Sequence, residues 1–170
     1  LPWRRRRGNA SCLHAFENSA AGFPRPSSLT VSKPMSDADS FFDTNVLLYL
    51  LSADSRKADR VEKLLAARGT ISAQVLNEFA AVARRKLKMS VTEVREVLDT
   101  VRVVCSVESV TAETHERGMA IHEQYGFSLY DSVLVAAALI AGNKVMYSED
   151  MQHGQLIDDQ LRIVNPFASL

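Results

Sequence analysis

Residues 40–50 have the sequence SFFDTNVLLYL, and this stretch decides the fold. A short apolar run ends at Asp43, two residues that often begin helices follow, and a second apolar run starts. The pattern predicts a buried strand with Asp43 at its carboxyl end, followed by a turn into a helix. Ligands of open parallel sheets bind at the carboxyl ends of the strands. We therefore expect Asp43 at the mouth of a site, with a helix cap by Asp43 or Thr44 as the alternative.

The remainder of the chain alternates predicted strands with predicted helices. Further strands are predicted at residues 70–72, 101–107, 144–147 and 161–164. Helices are predicted at residues 45–51, 53–68, 73–88, 90–100, 111–126 and 128–141, with Gly69 ending the second of them and a loop or broken helix at 148–158. This alternation predicts an α/β fold, a three-layer sandwich in which helices flank a mainly parallel central sheet.

Length and composition limit the classes of protein. The chain has 170 residues, which suffices for one domain with a real core but not comfortably for two. Its two cysteines, Cys12 and Cys105, form neither a disulfide framework nor a paired metal spacing, so we expect a reducing compartment, the cytoplasm. The longest apolar run, residues 133–141, is too short to span a bilayer, and no membrane is expected.

The N-terminal segment, residues 1–39, differs in composition from the rest. It shows no helical or strand periodicity and holds four of the five prolines. We expect a disordered or non-native extension here and a folded domain at 40–170. Met35 lies just before the first strand and has the look of a natural start, which favours an upstream-extended reading frame. The Arg-rich, Ser-rich and acid-poor composition is also typical of an organellar transit peptide.

The formal net charge of zero conceals an asymmetry. Residues before Met35 include six basic side chains and one acidic side chain, which leaves a net charge of −5 for the remainder. A mildly acidic domain argues against wholesale binding of nucleic acid through net charge. It remains compatible with a local basic patch, or with an acidic site that metal ions neutralise.

Four acidic side chains lie at or near the starts of predicted elements. Asp43 and Asp150 follow strands, Asp131 lies in the first turn of a helix, and Glu78 lies about two turns into the helix after the 70–72 strand. In a parallel sheet all four can converge above the carboxyl edge. Carboxylates at close range repel unless a cation neutralises them, and all-oxygen ligation selects Mg²⁺ or Mn²⁺. Such a site is suited to phosphodiester hydrolysis, because a metal activates water and offsets charge on the leaving oxygen.

Each of these acids also has an ordinary structural explanation. Glu78 can lie at the edge of an apolar helix face with its carboxylate in water. Asp131 can form a capping box with Ser128, and Asp150 can be a simple loop acid. A dense basic cluster near the end of the helix of Glu78 can bind RNA phosphates or complement the helix dipole; its members are Arg84, Arg85, Lys86 and Lys88.

Four short motifs resemble those of PIN-domain ribonucleases, and most closely the VapC-type toxins of toxin–antitoxin pairs. The motifs are Phe42-Asp43-Thr44-Asn45, Asn77-Glu78, Leu129-Tyr130-Asp131-Ser132 and Tyr147-Ser148-Glu149-Asp150. The resemblance spans about residues 40–168. It departs from the family pattern in the N-terminal extension and after Asp150, where the acid and aromatic residue often found there are missing.

The resemblance implies roles for particular residues. Asp43, Glu78, Asp131 and Asp150 would bind Mg²⁺ or Mn²⁺ and carry catalysis, and Thr44, Asn45 and Ser148 would orient their carboxylates. It further implies an RNA substrate, a homodimer and a cognate antitoxin protein. The alternative is a catalytically inactive module of the same fold that acts by protein contact alone. Two other kinds of site are disfavoured. The chain lacks the second acid near Asp43 that a phosphoacceptor site would need, and it lacks the Gly-rich phosphate loop of a nucleotide-binding domain.

Overall fold

The strand at the start of the quoted stretch lies inside a six-stranded sheet. The structure, a computed structural model, describes residues 39–169, so the predictions for residues 1–38 lie outside the described residues. The strands are β1 (Ser40–Phe42), β2 (Gly69–Ser72), β3 (Cys105–Glu108), β4 (Val145–Tyr147), β5 (Leu156–Ile157) and β6 (Leu161–Val164). Their order is β3-β2-β1-β4-β6-β5, and all neighbours are parallel except β5 and β6.

Helices flank this sheet, as the alternating pattern predicted. They are α1 (Thr44–Leu47), α2 (Ser55–Ala66), α3 (Ala73–Leu87), α4 (Val91–Val104), α5 (Ala112–Tyr125) and α6 (Leu129–Ile140). A 3₁₀ helix, Leu48–Leu51, continues directly from α1. The predicted α/β class with a mainly parallel sheet is therefore confirmed.

The core lies on both sides of β1. Phe41 and Phe42 of this strand are fully buried, and so are Val46 and Leu47 of the following helix. Because consecutive side chains of a strand point to opposite faces, the two phenylalanines anchor β1 between two apolar layers. This packing fixes the end of β1, where Asp43 follows. Within residues 39–169, none of the helices has both the length and the apolar character that crossing a bilayer requires.

Three element predictions were wrong. The strand predicted at 101–107 begins only at Cys105, because α4 continues to Val104 and buries Val94, Val97 and Val101 on one face. Gly69 does not end a helix but begins β2, where an added Cβ would lie 2.4 Å from Cε2 of Phe42. The segment 148–158, predicted to lack a strand, contains β5.

Candidate active site

The first part of the site is built where β1 and β4 end side by side. Phe42 is in register with Tyr147, and the Asp43 backbone N–H donates to the Tyr147 carbonyl oxygen at 3.0 Å. The residues that follow these strands, Asp43 and Ser148, therefore emerge next to each other at the carboxyl edge of the sheet. The strand pattern predicted Asp43 at this edge.

Asp43 is buried, with 5% of its surface exposed. It occupies the N-cap position of α1, yet its side chain makes no capping hydrogen bond. Instead its Oδ2 accepts from the Ser148 hydroxyl at 2.7 Å and from the Asn45 side-chain amide at 2.8 Å. The alternative in which Asp43 caps the helix is therefore wrong. It is equally wrong for Thr44, because Thr44 is the first residue of α1 and not its N-cap. The Thr44 hydroxyl donates to Glu78 Oε2 at 2.8 Å.

Asn45 joins the two ends of this cluster. Its Nδ2 lies 2.8 Å from Asp43 Oδ2, 3.2 Å from Ser148 Oγ and 3.1 Å from Asp150 Oδ2. Its Oδ1 accepts the backbone N–H of Glu149 at 3.2 Å, which fixes the orientation of the amide, because only the amino group can then face the carboxylates. Asn45 thus ties Asp43 to Asp150, which is itself exposed.

Glu78 approaches the same edge from α3. Its Oε2 accepts from Thr44, and its Oε1 accepts from the Gln74 side-chain amide at 2.8 Å. Both carboxylate oxygens of Glu78 therefore accept hydrogen bonds from protein side chains. The alternative, in which this carboxylate contacts only water, is wrong. Because Thr44 is the neighbour of Asp43, the hydrogen bond from Thr44 places Glu78 beside the buried carboxylate.

Asp131 lies at the start of α6. The Ser128 hydroxyl accepts the Asp131 backbone N–H at 3.2 Å and donates to Asp131 Oδ2 at 2.7 Å. Ser128 therefore caps the helix as the alternative proposed, but the Asp131 carboxylate bonds to the serine hydroxyl instead of the N-cap backbone. The Gln74 amide also donates to the Tyr130 carbonyl oxygen at 3.2 Å, which links the start of α6 to the start of α3.

The electrostatics of the cluster are unfavourable for a charged Asp43. Burial, opposed by hydrogen bonds and supported by the nearby charges of Asp131 and Glu78, raises the pKa of Asp43 to about 6. In the described part of the chain, none of the four acids forms an ion pair with a lysine, arginine or histidine. The negative charge of the site therefore has no cationic side chain to balance it there.

The structure brings the predicted site residues together to different degrees. Asp43, Asn45, Ser148 and Asp150 form one hydrogen-bonded cluster. Glu78 joins it through Thr44, whereas Asp131 is linked only through its electrostatic effect on Asp43 and the Gln74 bridge. Within residues 39–169, no group of three or more acidic, histidine or cysteine side chains is already arranged to hold a metal ion.

The basic cluster at the end of α3 divides into two parts. The Arg84 guanidinium donates to the Met89 carbonyl oxygen at 2.8 Å, just beyond the helix end. This contact agrees with the prediction that the cluster complements the helix terminus. Arg85, Lys86 and Lys88 are exposed, so their role as RNA contacts stays a prediction.

Sequence reasoning missed several residues that hold the site. Gln74, four residues before Glu78 on α3, was not considered, although side chains at this spacing are neighbours on a helix. Lys57 and Tyr49 also escaped it, because both contact Glu149 from distant parts of the chain. No local signal identifies those two contacts.

Comparisons with known proteins bear on the family and the fold of the chain. The PIN domain family model matches residues 40–156. A solved toxin–antitoxin complex from Klebsiella pneumoniae contains a chain that is 21% identical, with a TM-score of 0.58; the match covers 75% of this chain and 98% of that chain. Among curated protein sequences, none gives a significant match.

Two further solved structures are similar in fold. VapC20 from Mycobacterium tuberculosis, a toxin that cleaves the sarcin-ricin loop, is 22% identical with a TM-score of 0.51; the match covers 65% of this chain and 89% of that chain. VapBC2 from Rickettsia felis, solved with a DNA fragment from its promoter, is 19% identical with a TM-score of 0.53; the match covers 74% of this chain and 98% of that chain.

Proposed function

The chain belongs to the PIN-domain family, and from this premise we propose that it is a metal-dependent endoribonuclease, the toxin of a toxin–antitoxin pair. The observation that carries the proposal is the buried carboxylate of Asp43. Its pKa is raised to about 6 by burial and by neighbouring carboxylates, and no cationic side chain of the described residues pairs with it. A buried carboxylate without a cationic partner lowers the stability of the folded protein, and a bound cation would offset this cost.

The donor chemistry fits a hard divalent ion. Asp43, Asp131, Glu78 and Asp150 offer only carboxylate oxygens, the ligands that Mg²⁺ and Mn²⁺ prefer. These four residues would hold the ion, which when bound activates a water molecule and offsets negative charge on the phosphate. The raised pKa of Asp43 means that part of the population carries a proton near neutral pH, and binding has to displace it.

The other residues of the cluster orient the carboxylates. Ser148 and Asn45 both donate to the same oxygen of Asp43, which fixes the plane of that carboxylate. Thr44 and Gln74 do the same for the two oxygens of Glu78. Removing such orienting partners typically lowers metal affinity or activity about 10–100-fold. Arg85, Lys86 and Lys88 are the candidate contacts for RNA phosphates.

The decisive experiment is RNA cleavage under controlled metal supply. The purified protein is incubated with cellular RNA in Mg²⁺, in Mn²⁺ and in chelator, and new RNA ends are mapped. We expect ends that appear only with metal and that Asp43→Asn and Asp150→Asn abolish. Asp159→Asn is the matched control, since Asp159 is an exposed residue before β6, at the opposite edge of the sheet.

The outcomes separate the proposal from its rival. Cleavage that persists in chelator contradicts the metal mechanism. A protein that neither cleaves RNA nor binds Mn²⁺ supports the alternative, a catalytically inactive PIN module that acts by protein contact.

The proposal includes two protein partners. The solved toxin–antitoxin complexes of similar fold support a cognate antitoxin, and the family resemblance supports a homodimer. Large apolar side chains that stay exposed on the helices, such as Val91, Val103 and Met119, are available for such contacts. Co-purification of bound proteins from the native cells, followed by light scattering of the free and bound protein, tests both. High expression of the active protein alone without toxicity would contradict the toxin role.

A further inference from the structure

A second charged cluster lies directly beside the site. The Lys57 ammonium, on α2, donates to Glu149 Oε1 and, at 2.8 Å, to the Tyr49 hydroxyl. Tyr49 in turn donates to Glu149 Oε2 at 2.6 Å. The ammonium also lies 4.3 Å from the ring centre of Tyr49 and 4.8 Å from that of Phe167. We call Tyr49, Lys57 and Glu149 the Lys57 clamp.

The clamp is well placed to hold its position. The side chains of Lys57 and Glu149 are only 23% and 27% exposed, so solvent screens their attraction less than it screens a surface pair. Two aromatic rings add cation–π contacts to the same ammonium. The clamp therefore holds the Glu149 carboxylate from α2 and from the 3₁₀ helix, while Phe167 of the C-terminal segment contacts the Lys57 ammonium.

The clamp connects to the site through one peptide group. Glu149 lies between Ser148 and Asp150, and its backbone N–H donates to Asn45 Oδ1 at 3.2 Å. That hydrogen bond sets which end of the Asn45 amide faces Asp43 and Asp150. Holding the Glu149 side chain therefore restrains the peptide that orients Asn45.

We propose that Lys57 is a positioning residue, which acts through Glu149 and Asn45 to keep the carboxylates of Asp43 and Asp150 in place for a divalent cation. The inference rests on the proposed function for the identity of the ligand. Its structural part, that Lys57 restrains the Glu149 peptide, is independent of it.

The sign of the effect separates positioning from simple electrostatics. Removing the positive charge of Lys57 makes the surroundings of the site more negative, which by itself tightens the binding of a cation. Loss of positioning weakens the binding of a cation, because the carboxylates then lose more conformational entropy when they become ordered around the ion. Weaker binding by Lys57→Met therefore reports positioning, since methionine keeps the length of the side chain without its charge.

The chain offers a matched control at the far edge of the sheet. Arg117 pairs with Asp158, and Tyr125 donates to the same aspartate at 2.9 Å. This trio, like the Lys57 clamp, combines a cationic side chain, a carboxylate and a tyrosine hydroxyl, but Asp158 follows β5 and precedes β6, away from the carboxyl edge of the parallel strands. Arg117→Met thus removes an ion pair of the same kind with no path to Asn45.

The first test is Mn²⁺ titration of the purified full chain, followed calorimetrically. We expect Lys57→Met to raise the Kd for Mn²⁺ about tenfold, Glu149→Gln to do the same, and the double variant to be no worse than either. Lys57→Arg should restore most of the affinity, because it keeps a cation within reach of Glu149. Arg117→Met should leave the Kd within about twofold of the wild-type value.

The second test needs no metal. Hydrogen exchange in chelator is compared at two backbone amides: Glu149, which donates to Asn45, and Ser148, which donates to the Val164 carbonyl at 3.1 Å. Lys57→Met should accelerate exchange at Glu149 about fivefold relative to Ser148, the loss expected for one weakened hydrogen bond. A general loss of stability accelerates both amides equally.

The outcomes are distinct. An unchanged or lower Kd for Lys57→Met, or equal acceleration at both amides, overturns the inference while leaving the proposed function intact. Absence of Mn²⁺ binding by the wild-type protein overturns the proposed function, and the exchange experiment then still decides whether Lys57 restrains the Glu149 peptide.

Discussion

Replacing Asp43 with asparagine should stabilise the metal-free protein near neutral pH while abolishing its activity. The substitution keeps the size of the side chain and removes one charge. Asparagine retains an oxygen that can accept from Ser148 and Asn45, the two donors that now share Asp43 Oδ2. The effect on stability therefore depends mainly on the cost of the buried charge.

The magnitude follows from the pKa of Asp43, which burial raises from 3.8 to about 6. Because the folded state holds this proton more tightly than the unfolded state, the wild-type protein loses stability as the pH rises through this range. The full loss, reached above pH 6, is about 3 kcal/mol, and about 1 kcal/mol of it is present at pH 4.5. Weaker hydrogen bonds to a neutral amide cost about 1 kcal/mol. Asp43→Asn should thus gain about 2 kcal/mol at pH 8 and about nothing at pH 4.5.

The assay is urea denaturation in chelator at these two pH values. Asp159→Asn is the control, and its stability should follow the wild-type protein at both. In Mn²⁺ at about 100 times the Kd, the wild-type protein should gain about 2.7 kcal/mol by mass action, whereas Asp43→Asn should gain much less. RNA cleavage by Asp43→Asn should fall at least about a hundredfold, equivalent to about 3 kcal/mol.

One result refutes this reasoning directly. If Asp43→Asn lowers stability by a similar amount at pH 4.5 and pH 8, the charge of Asp43 is not the source of the cost. The residue would then be a structural part of the β1–α1 turn, and the proposed cation site would lose its main support.

Three further predictions concern other parts of the chain. Gly69→Ala should lower the free energy of unfolding by about 2 kcal/mol in urea denaturation, because its Cβ would meet the Phe42 ring at 2.4 Å. Arg85→Ala should raise the KM for RNA about tenfold and lower the salt dependence of RNA binding by about one charge. The reason is that residue 85 lies on the same face of α3 as Glu78, about 10 Å further along the helix. Lys86→Ala, about 100° further round the helix, should change both less. A chain that starts at Met35 should keep its melting temperature, in agreement with the composition of the segment before it.

Much of the fold was predictable because local signals agree with the final packing. The apolar run before Asp43 became β1, and the helix predicted to start at residue 90 begins at Val91, with a capping box of Ser90 and Glu93. A strand was predicted from residue 101 because this stretch is rich in β-branched residues, which favour strands locally. Packing overrode this preference, since Val101 completes the buried face that Val94 begins.

The site was predictable in outline and not in its connections. Alternation of strands and helices places the residues after β1 and β4 at one edge of the sheet. The proximity of Asp43 and Ser148 depends in addition on the strand order, in which β1 and β4 are neighbours. The contact between Lys57 and Glu149 spans 92 residues and has no periodic signal. The orientation of Asn45 depends on its hydrogen bond with the Glu149 backbone N–H. The sequence motif therefore identified Asn45 but not the contact that orients its amide.

Under the proposed function, the position of Asp43 sets the stability of the metal-free protein against cation binding. The neighbouring residues Phe41, Phe42, Val46 and Leu47 are all fully buried, so the carboxylate lies against a fully buried part of the core. That packing holds the side chain rigidly but also removes the water that would stabilise its charge. A flexible, solvated aspartate would cost less and would bind a cation less tightly, because it would have to be ordered first. The apolar surroundings that destabilise the charged residue are therefore the same feature that, in the proposed function, would prepare it for a cation.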